Sequence, residues 1–208
     1  MKKHGFVAAV LITAMLAVTV PRPAWANSQT IALGIGVGKY EYDETDTQRS
    51  AAPLKGMYEE LMRGVQSQMY LEWYALGSLG FGVRGLNVGS DQSGGTAGSP
   101  NTRVVSVRSK LVTVNWVPLG GERYARLGML AGVGRSNYEV ATTSGGTTGS
   151  EATSGGARLL GAYLDWGADG FGARFGVNAL KTRLEDLNTL HVDGSGQGYY
   201  LDLRWAWP

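Results

Sequence analysis

Along most of this chain, apolar and polar side chains trade places from one residue to the next. In the stretch 199–207, Tyr199, Leu201, Leu203, Trp205 and Trp207 share one parity, and Tyr200, Asp202, Arg204 and Ala206 hold the other. A two-residue period belongs to the β-strand, whose successive side chains point to opposite faces. The pattern recurs along the chain and predicts eight strands, near 30–42, 68–76, 79–90, 103–117, 123–140, 157–167, 170–181 and 197–207. The links between them are short at 77–78, 118–122 and 168–169, and long at 43–67, 91–102, 141–156 and 182–196. Two of the long links, 90–100 and 141–156, are tracts of Gly, Ser and Thr with little apolar content, which predicts mobile, solvated loops.

Sorting the strands by parity separates two kinds of face. One carries Ile31, Leu33, Ile35 and Val37, then Met69, Leu71, Trp73 and Ala75, then Leu79, Phe81 and Val83, and it continues in the same way through the later strands. The other carries Tyr70, Glu72, Tyr74, Arg84, Thr113, Asn115, Arg126, Tyr163, Asp165, Arg174, Asp202 and Arg204. The two faces need different solvents. Beyond residue 26 no apolar run is long enough for a membrane helix, so a membrane location requires a closed barrel, in which all backbone hydrogen bonds are made between strands. The expected fold is therefore all-β, an eight-stranded antiparallel up-and-down transmembrane β-barrel with tight turns at one end and long loops at the other.

In such a barrel the polar face points inward, and eight strands leave a lumen just wide enough to be filled by side chains. Glu72, Arg84, Arg126, Asp165, Arg174, Asp202 and Arg204 are then expected to form a luminal network of arginine–carboxylate pairs. Trp73, Trp116, Trp166, Trp205 and Trp207 lie near the strand ends that adjoin the short links, where an aromatic girdle meets one membrane interface. A soluble sandwich or ligand-binding barrel would also alternate, with the apolar face as its core. Solvated strand faces are rich in Lys, Glu, Thr and Ser, whereas the polar face here mixes Gly, Tyr, Arg and a few acids. Arg108 and Lys110 break the scheme, because they share parity with Val112 and Val114. Either they lie high on the barrel near lipopolysaccharide phosphates, or a β-bulge reverses the parity there.

The terminal alternation of Tyr199, Leu201, Leu203, Trp205 and Trp207 resembles the C-terminal assembly signal of bacterial outer-membrane β-barrels, with Pro208 following the last aromatic residue. In organisation the chain resembles the small eight-stranded outer-membrane proteins, the class of the outer membrane protein A transmembrane domain, the OmpX-like proteins and the opacity antigens. This resemblance implies an outer-membrane location and contact with outer-membrane lipid and lipopolysaccharide. It also implies a transient encounter with the barrel-assembly machinery and an extracellular partner of unknown identity. Members of the class act as anchors, adhesins or complement-binding surfaces, and some small barrels bind hydrophobic molecules or pass small solutes.

The other end of the chain agrees. Lys2 and Lys3 precede an apolar run from Phe6 to Val20, and Pro21 and Pro23 end it before Ala24-Trp25-Ala26. This reads as a secretory signal peptide, 1–26, removed to leave a barrel of 27–208. Removal takes Lys2, Lys3 and Arg22 but no acid, so the 19 basic residues fall to 16 against 17 acidic ones and the net charge of +2 becomes −1. No electrostatic case for nucleic-acid binding survives that change. The chain has no cysteine, which rules out disulfides and thiolate chemistry.

Candidate chemistry is sparse. In 54–65, Leu54, Met57, Tyr58, Leu61, Met62 and Val65 follow helical spacing with Glu59, Glu60 and Arg63 opposite, which predicts a short amphipathic helix in the first long loop. His191, Asp193 and Ser195 form the one cluster of histidine, acid and hydroxyl, but Asp193 stands where a lipid A deacylase carries its serine. Gly34, Gly36 and Gly38 fall inside a strand with no following helix, so they do not make a nucleotide loop. No catalytic, cofactor-binding or metal site is expected. The leading expectation is a non-enzymatic surface or structural barrel acting through its long loops. The alternatives are a narrow conduit or binding barrel for small apolar molecules, with Leu54, Tyr58 and Leu61 lining an apolar cavity in the upper barrel, and a lipid A-modifying enzyme.

Overall fold

Eight strands follow one another without an intervening helix among the described residues: β1 Thr30–Tyr42, β2 Arg63–Tyr74, β3 Leu79–Thr96, β4 Ser99–Gly120, β5 Ala125–Ser144, β6 Thr147–Trp166, β7 Gly170–Leu184 and β8 Gly196–Trp207. The computed structural model describes residues 30–43, 63–75, 78–96, 99–120, 125–144, 146–167, 170–184 and 194–207. Each strand pairs antiparallel with its sequence neighbours, and β1 pairs with β8 from Ile31↔Trp207 to Tyr42↔Gly196, which closes the barrel. The expected eight-stranded up-and-down architecture is the observed one. Closure pairs every strand on both sides over the barrel's common height and so removes free sheet edges there.

The strands run further than their polarity predicted. The tracts 90–100 and 141–156, expected as loops, are mostly strand: β3 and β4 pair out to Thr96↔Ser99, and β5 and β6 out to Ser144↔Thr147. β2 leaves β3 at Val65↔Gly89, and β6 leaves β7 at Gly155↔Leu184. Beyond those points β3–β6 form a four-stranded sheet that stands past the rest of the barrel. The polar sequence that reads as loop still forms a ladder through its backbone. Residues 146–152 are exposed, as expected of a solvated segment. Gly146 adopts φ +82° in the two-residue turn between β5 and β6, a conformation glycine takes at no steric cost.

Two further expectations need correction. β2 begins at Arg63, so Arg63 and Val65 belong to a strand and not to an amphipathic helix; the remainder of that stretch, 54–62, lies outside the described residues, as do the leader 1–26 and His191. β4 continues through Pro118 to Gly120, with a register shift between Trp116 and Leu119 against β5. A proline has no N–H to give to a ladder, and a bulge is where a strand tolerates it.

Candidate functional site

Buried side chains occupy the lumen in two chemically different layers. The layer nearer the short turns is ionic. Arg174 on β7 donates to Glu72 on β2 through Nη1 at 2.8 Å and Nη2 at 2.9 Å, a bidentate pair, and to Asp165 on β6 through Nε and, at 3.1 Å, Nη2. Arg84 on β3 donates to Glu72 Oε1 at 3.1 Å and to Gln68 Oε1 at 2.8 Å. Gln68 passes the chain on, donating to Asp202 Oδ1 at 2.7 Å, and Tyr74 donates to Glu72 Oε2 at 2.9 Å. Arg204 reaches Asp165 at 3.6 Å. Glu72, Asp165 and Asp202 thus face Arg84, Arg174 and Arg204, all buried, and three carboxylates neutralise three guanidiniums.

Aromatic rings complete this layer. The Arg174 guanidinium lies over the rings of Tyr70, 4.6 Å from its centroid, and Tyr163, at 3.8 Å, and the Arg84 guanidinium also lies over Tyr70 at 4.6 Å. Contacts of this kind favour a desolvated cation. Four inward tyrosines each have a glycine as cross-strand partner: Tyr70↔Gly34, Tyr74↔Gly80, Tyr163↔Gly128 and Tyr200↔Gly176. A Cβ at Gly34, Gly128 or Gly176 would fall within 2.4 Å of the partner's ring. The glycines make room for rings laid flat across the neighbouring strand.

Of the seven residues named for the luminal network, six meet in this layer. The seventh, Arg126, is half-buried, in register with Asp165.

The layer nearer the long loops is largely apolar, with Gln66, Ser90 and Asn178 buried there too and Ser109 and Ser136 hydrogen-bonded to each other at 2.6 Å. Leu86, Val88, Val105, Val107, Leu111, Leu130, Leu159 and Leu180 all point inward and are buried. Above them Tyr40 donates to the Gly194 carbonyl at 3.1 Å, the Gly194 N–H reaches Thr182 Oγ1 at 3.0 Å, and Ser195 Oγ accepts from the Thr182 N–H at 3.0 Å. These bonds fasten the start of the β8 segment across the barrel mouth. Ser195 is therefore a buried structural hydroxyl.

The outer face reverses in step with the inner one. Toward the short turns it is apolar on every strand, and Ile35, Met69, Val83, Val112, Val133, Leu160, Phe175 and Leu201 are all more than half exposed. On β8 this face runs from Tyr199 to Trp207, about 27 Å along the strand at ~3.4 Å per residue, or roughly 20 Å of height at the ~40° tilt of such barrels. Trp73, Trp166, Trp205 and Trp207 are exposed and Trp116 is partly so, all at the short-turn end, with Trp205 and Trp207 stacked at 5.8 Å. The five residues of the proposed assembly signal, Tyr199, Leu201, Leu203, Trp205 and Trp207, all face outward. Higher up, Lys39, Arg108, Lys110, Arg135, Arg158 and Lys181 take the outward positions while leucines and valines turn inward. The parity of Arg108 and Lys110 is thus unbroken, and no bulge intervenes at these two positions. Above the apolar belt the barrel has the polarity of a soluble protein. Sequence reading found the ionic layer but passed over the apolar one, although the signal was present: inward positions change from Arg84 to Leu86 and Val88 as outward ones change from Val83 to Asn87.

No family model and no curated protein sequence matches the chain. Two crystal structures share its architecture. One is Ail, the attachment invasion locus protein of Yersinia pestis, in complex with the heparin analogue sucrose octasulfate, with a TM-score of 0.55 at 9% identity over 86% of this chain and 99% of that one. The other is Neisserial surface protein A, with a TM-score of 0.53 at 9% identity over 85% and 95%. The closed eight-stranded barrel is the fold of all three.

Proposed function

We propose that the protein resides in the bacterial outer membrane as a closed, non-enzymatic barrel and acts at the cell surface through the sheet that β3–β6 extend beyond the lipid. The observation that carries this reading is the lumen, in which buried side chains form an ion-paired layer below and a packed, largely apolar layer above. Three carboxylates set against three guanidiniums hold the inward charges in ion pairs, and a largely apolar layer above them opposes ion flow. The apolar outer belt with its aromatic rim suits lipid, and the reversal of polarity above it suits water. Residues 1–26 would deliver the chain across the inner membrane, and the barrel-assembly machinery would receive β8 by its outward aromatic face.

The exposed upper sheet supports a surface-interaction role, since it displays polar strands well beyond any lipid-facing residue. Ail binds a heparin analogue, which makes a soluble or cell-bound partner outside the membrane the natural expectation for a barrel of this shape. The largely apolar upper lumen would be the place for a hydrophobic ligand in the conduit reading, but its leucines and valines pack against one another in one buried cluster.

Two measurements test the proposal together. The protein should appear in the outer-membrane fraction as a band whose gel mobility changes on boiling, and the same preparation should be silent in planar bilayers. Reproducible current steps would refute the closed barrel, and recovery in the periplasmic fraction would refute the membrane location.

A further inference from the structure

A shallow groove of about 430 Å³ lies on the outer wall, lined by Leu33, Met69, Leu71, Val83, Val112 and Val133 around Gly85, and bordered above by Lys110. The register explains it. Met69, Gly85, Lys110 and Arg135 are successive cross-strand partners on β2, β3, β4 and β5, and at Gly85 the row lacks a side chain. A Cβ there would meet only the Met69 carbonyl, at 4.0 Å. Apolar walls, an open floor and a cation at the upper rim have the form of a seat for an acyl chain whose headgroup is anionic.

The cations continue from that rim. Lys110 pairs with Arg135, and one row below Arg158 pairs with Lys181, with Arg135 and Arg158 diagonal neighbours on β5 and β6. All four are exposed. None has an acid as a direct or diagonal cross-strand neighbour. Like charges set side by side on a sheet destabilise one another unless an anion joins them. The four cluster over β4–β7, and three occupy the first outward position above the apolar belt: Lys110 follows Val112, Arg135 follows Val133 and Arg158 follows Leu160. At the short-turn end of the same strands the outward positions are Trp116, Leu127, Trp166 and Phe171, without a cation.

Resting on the outer-membrane reading above, we propose that Lys110, Arg135, Arg158 and Lys181, together with the groove at Gly85, form a site for a phosphorylated, multiply acylated glycolipid of the outer leaflet. One acyl chain fills the groove, and the phosphates bridge the cations. A soluble polyanion is disfavoured by place, because the cations adjoin the lipid-facing surface and lie below the projecting sheet. The guanidiniums of Arg135 and Arg158 can grip phosphate oxygens bidentately, which a zwitterionic headgroup rewards less.

The test uses the folded protein in phosphatidylcholine nanodiscs doped with diphosphoryl lipid A, with lipid retention read by native mass spectrometry. The unaltered protein should retain lipid A over phosphatidylcholine. The double variant Lys110→Gln/Arg135→Gln should lose about thirtyfold of that preference, at roughly fivefold per cation removed from an anionic surface. Gly85→Leu, which keeps every charge and adds an apolar side chain to open space, should weaken lipid A retention several-fold. Full retention in either variant overturns the proposal. Heparin binding by the unaltered protein that equals its lipid A binding and is lost in the double variant also overturns it, in favour of a soluble polyanion. A heat-modifiable band for each variant separates loss of the site from loss of the fold, and a protein that never enters the nanodisc refutes the membrane reading itself.

Discussion

Replacing Glu72 by Gln should be among the most damaging single changes in the lumen, although it alters one atom. The carboxylate accepts four hydrogen bonds, two from Arg174, one from Arg84 and one from Tyr74. The amide can accept at only one oxygen, and its NH2 would face a guanidinium. It also leaves three buried guanidiniums against two carboxylates. Breaking one partner out of a buried ion pair costs about 3–5 kcal/mol, and Arg84 retains Gln68 and the rings of Tyr70 and Tyr200 as partial compensation. We therefore expect Glu72→Gln to lower the unfolding free energy by about 3–5 kcal/mol, read from urea titrations in phospholipid vesicles by tryptophan fluorescence. Adding Arg84→Met rebalances the charge, so the double variant should be more stable than the sum of the singles by about 2 kcal/mol. A loss below about 1 kcal/mol for Glu72→Gln, the range of a solvent-screened pair, would refute the dry ionic layer.

Other consequences follow from the same geometry. Gly128→Ala places a methyl group 2.3 Å from the Tyr163 ring, which is itself held against Arg174, and should cost about 1–3 kcal/mol in the same titration. Gly149→Ala, on the exposed part of β6 with nothing within 4 Å, should change stability by less than about 0.5 kcal/mol. Gly146→Ala should cost roughly 1 kcal/mol through its positive φ and speed amide exchange at the tip of the β5–β6 hairpin, while leaving exchange in the barrel below unchanged. Fluorescence of the barrel's tryptophans should be quenched more by lipids brominated near the headgroup than by lipids brominated at the chain end, because all five lie at the short-turn rim.

How far this architecture can be read from sequence depends on what surrounds each segment. Between the tryptophans and the first outward cations, an apolar outer face and a charged inner one impose strict alternation, so β1 is predicted at its observed bounds and the partners Glu72, Arg84, Asp165, Arg174, Asp202 and Arg204 emerge together by parity alone. Higher up, the solvent outside changes to water and the rule inverts. Leu86, Val88, Leu111 and Leu159 then share parity with residues assigned to a polar lumen, and Lys110 looks like an exception to a lipid-facing row. Past the barrel, residues 146–152 of the β5–β6 hairpin are exposed on both faces, so no polarity pattern marks that stretch as strand and its Gly, Ser and Thr read as loop. Register is the other thing alternation does not supply. That Gly85 separates Met69 from Lys110, and that Tyr70, Tyr74, Tyr163 and Tyr200 each face a glycine, depends on which residue pairs with which.

The central claim is that the apolar face meets lipid while the mixed face fills the barrel, and the absence of cysteine from the chain allows a direct test. Single cysteines introduced in turn from Leu159 to Trp166 on β6, each spin-labelled in vesicles, would report contact with lipid-dissolved oxygen residue by residue. Labels at Leu160, Ala162, Leu164 and Trp166 should be relaxed strongly by oxygen, and those at Leu159, Gly161, Tyr163 and Asp165 weakly, giving a period of two. The opposite phase, or no period at all, would contradict the account.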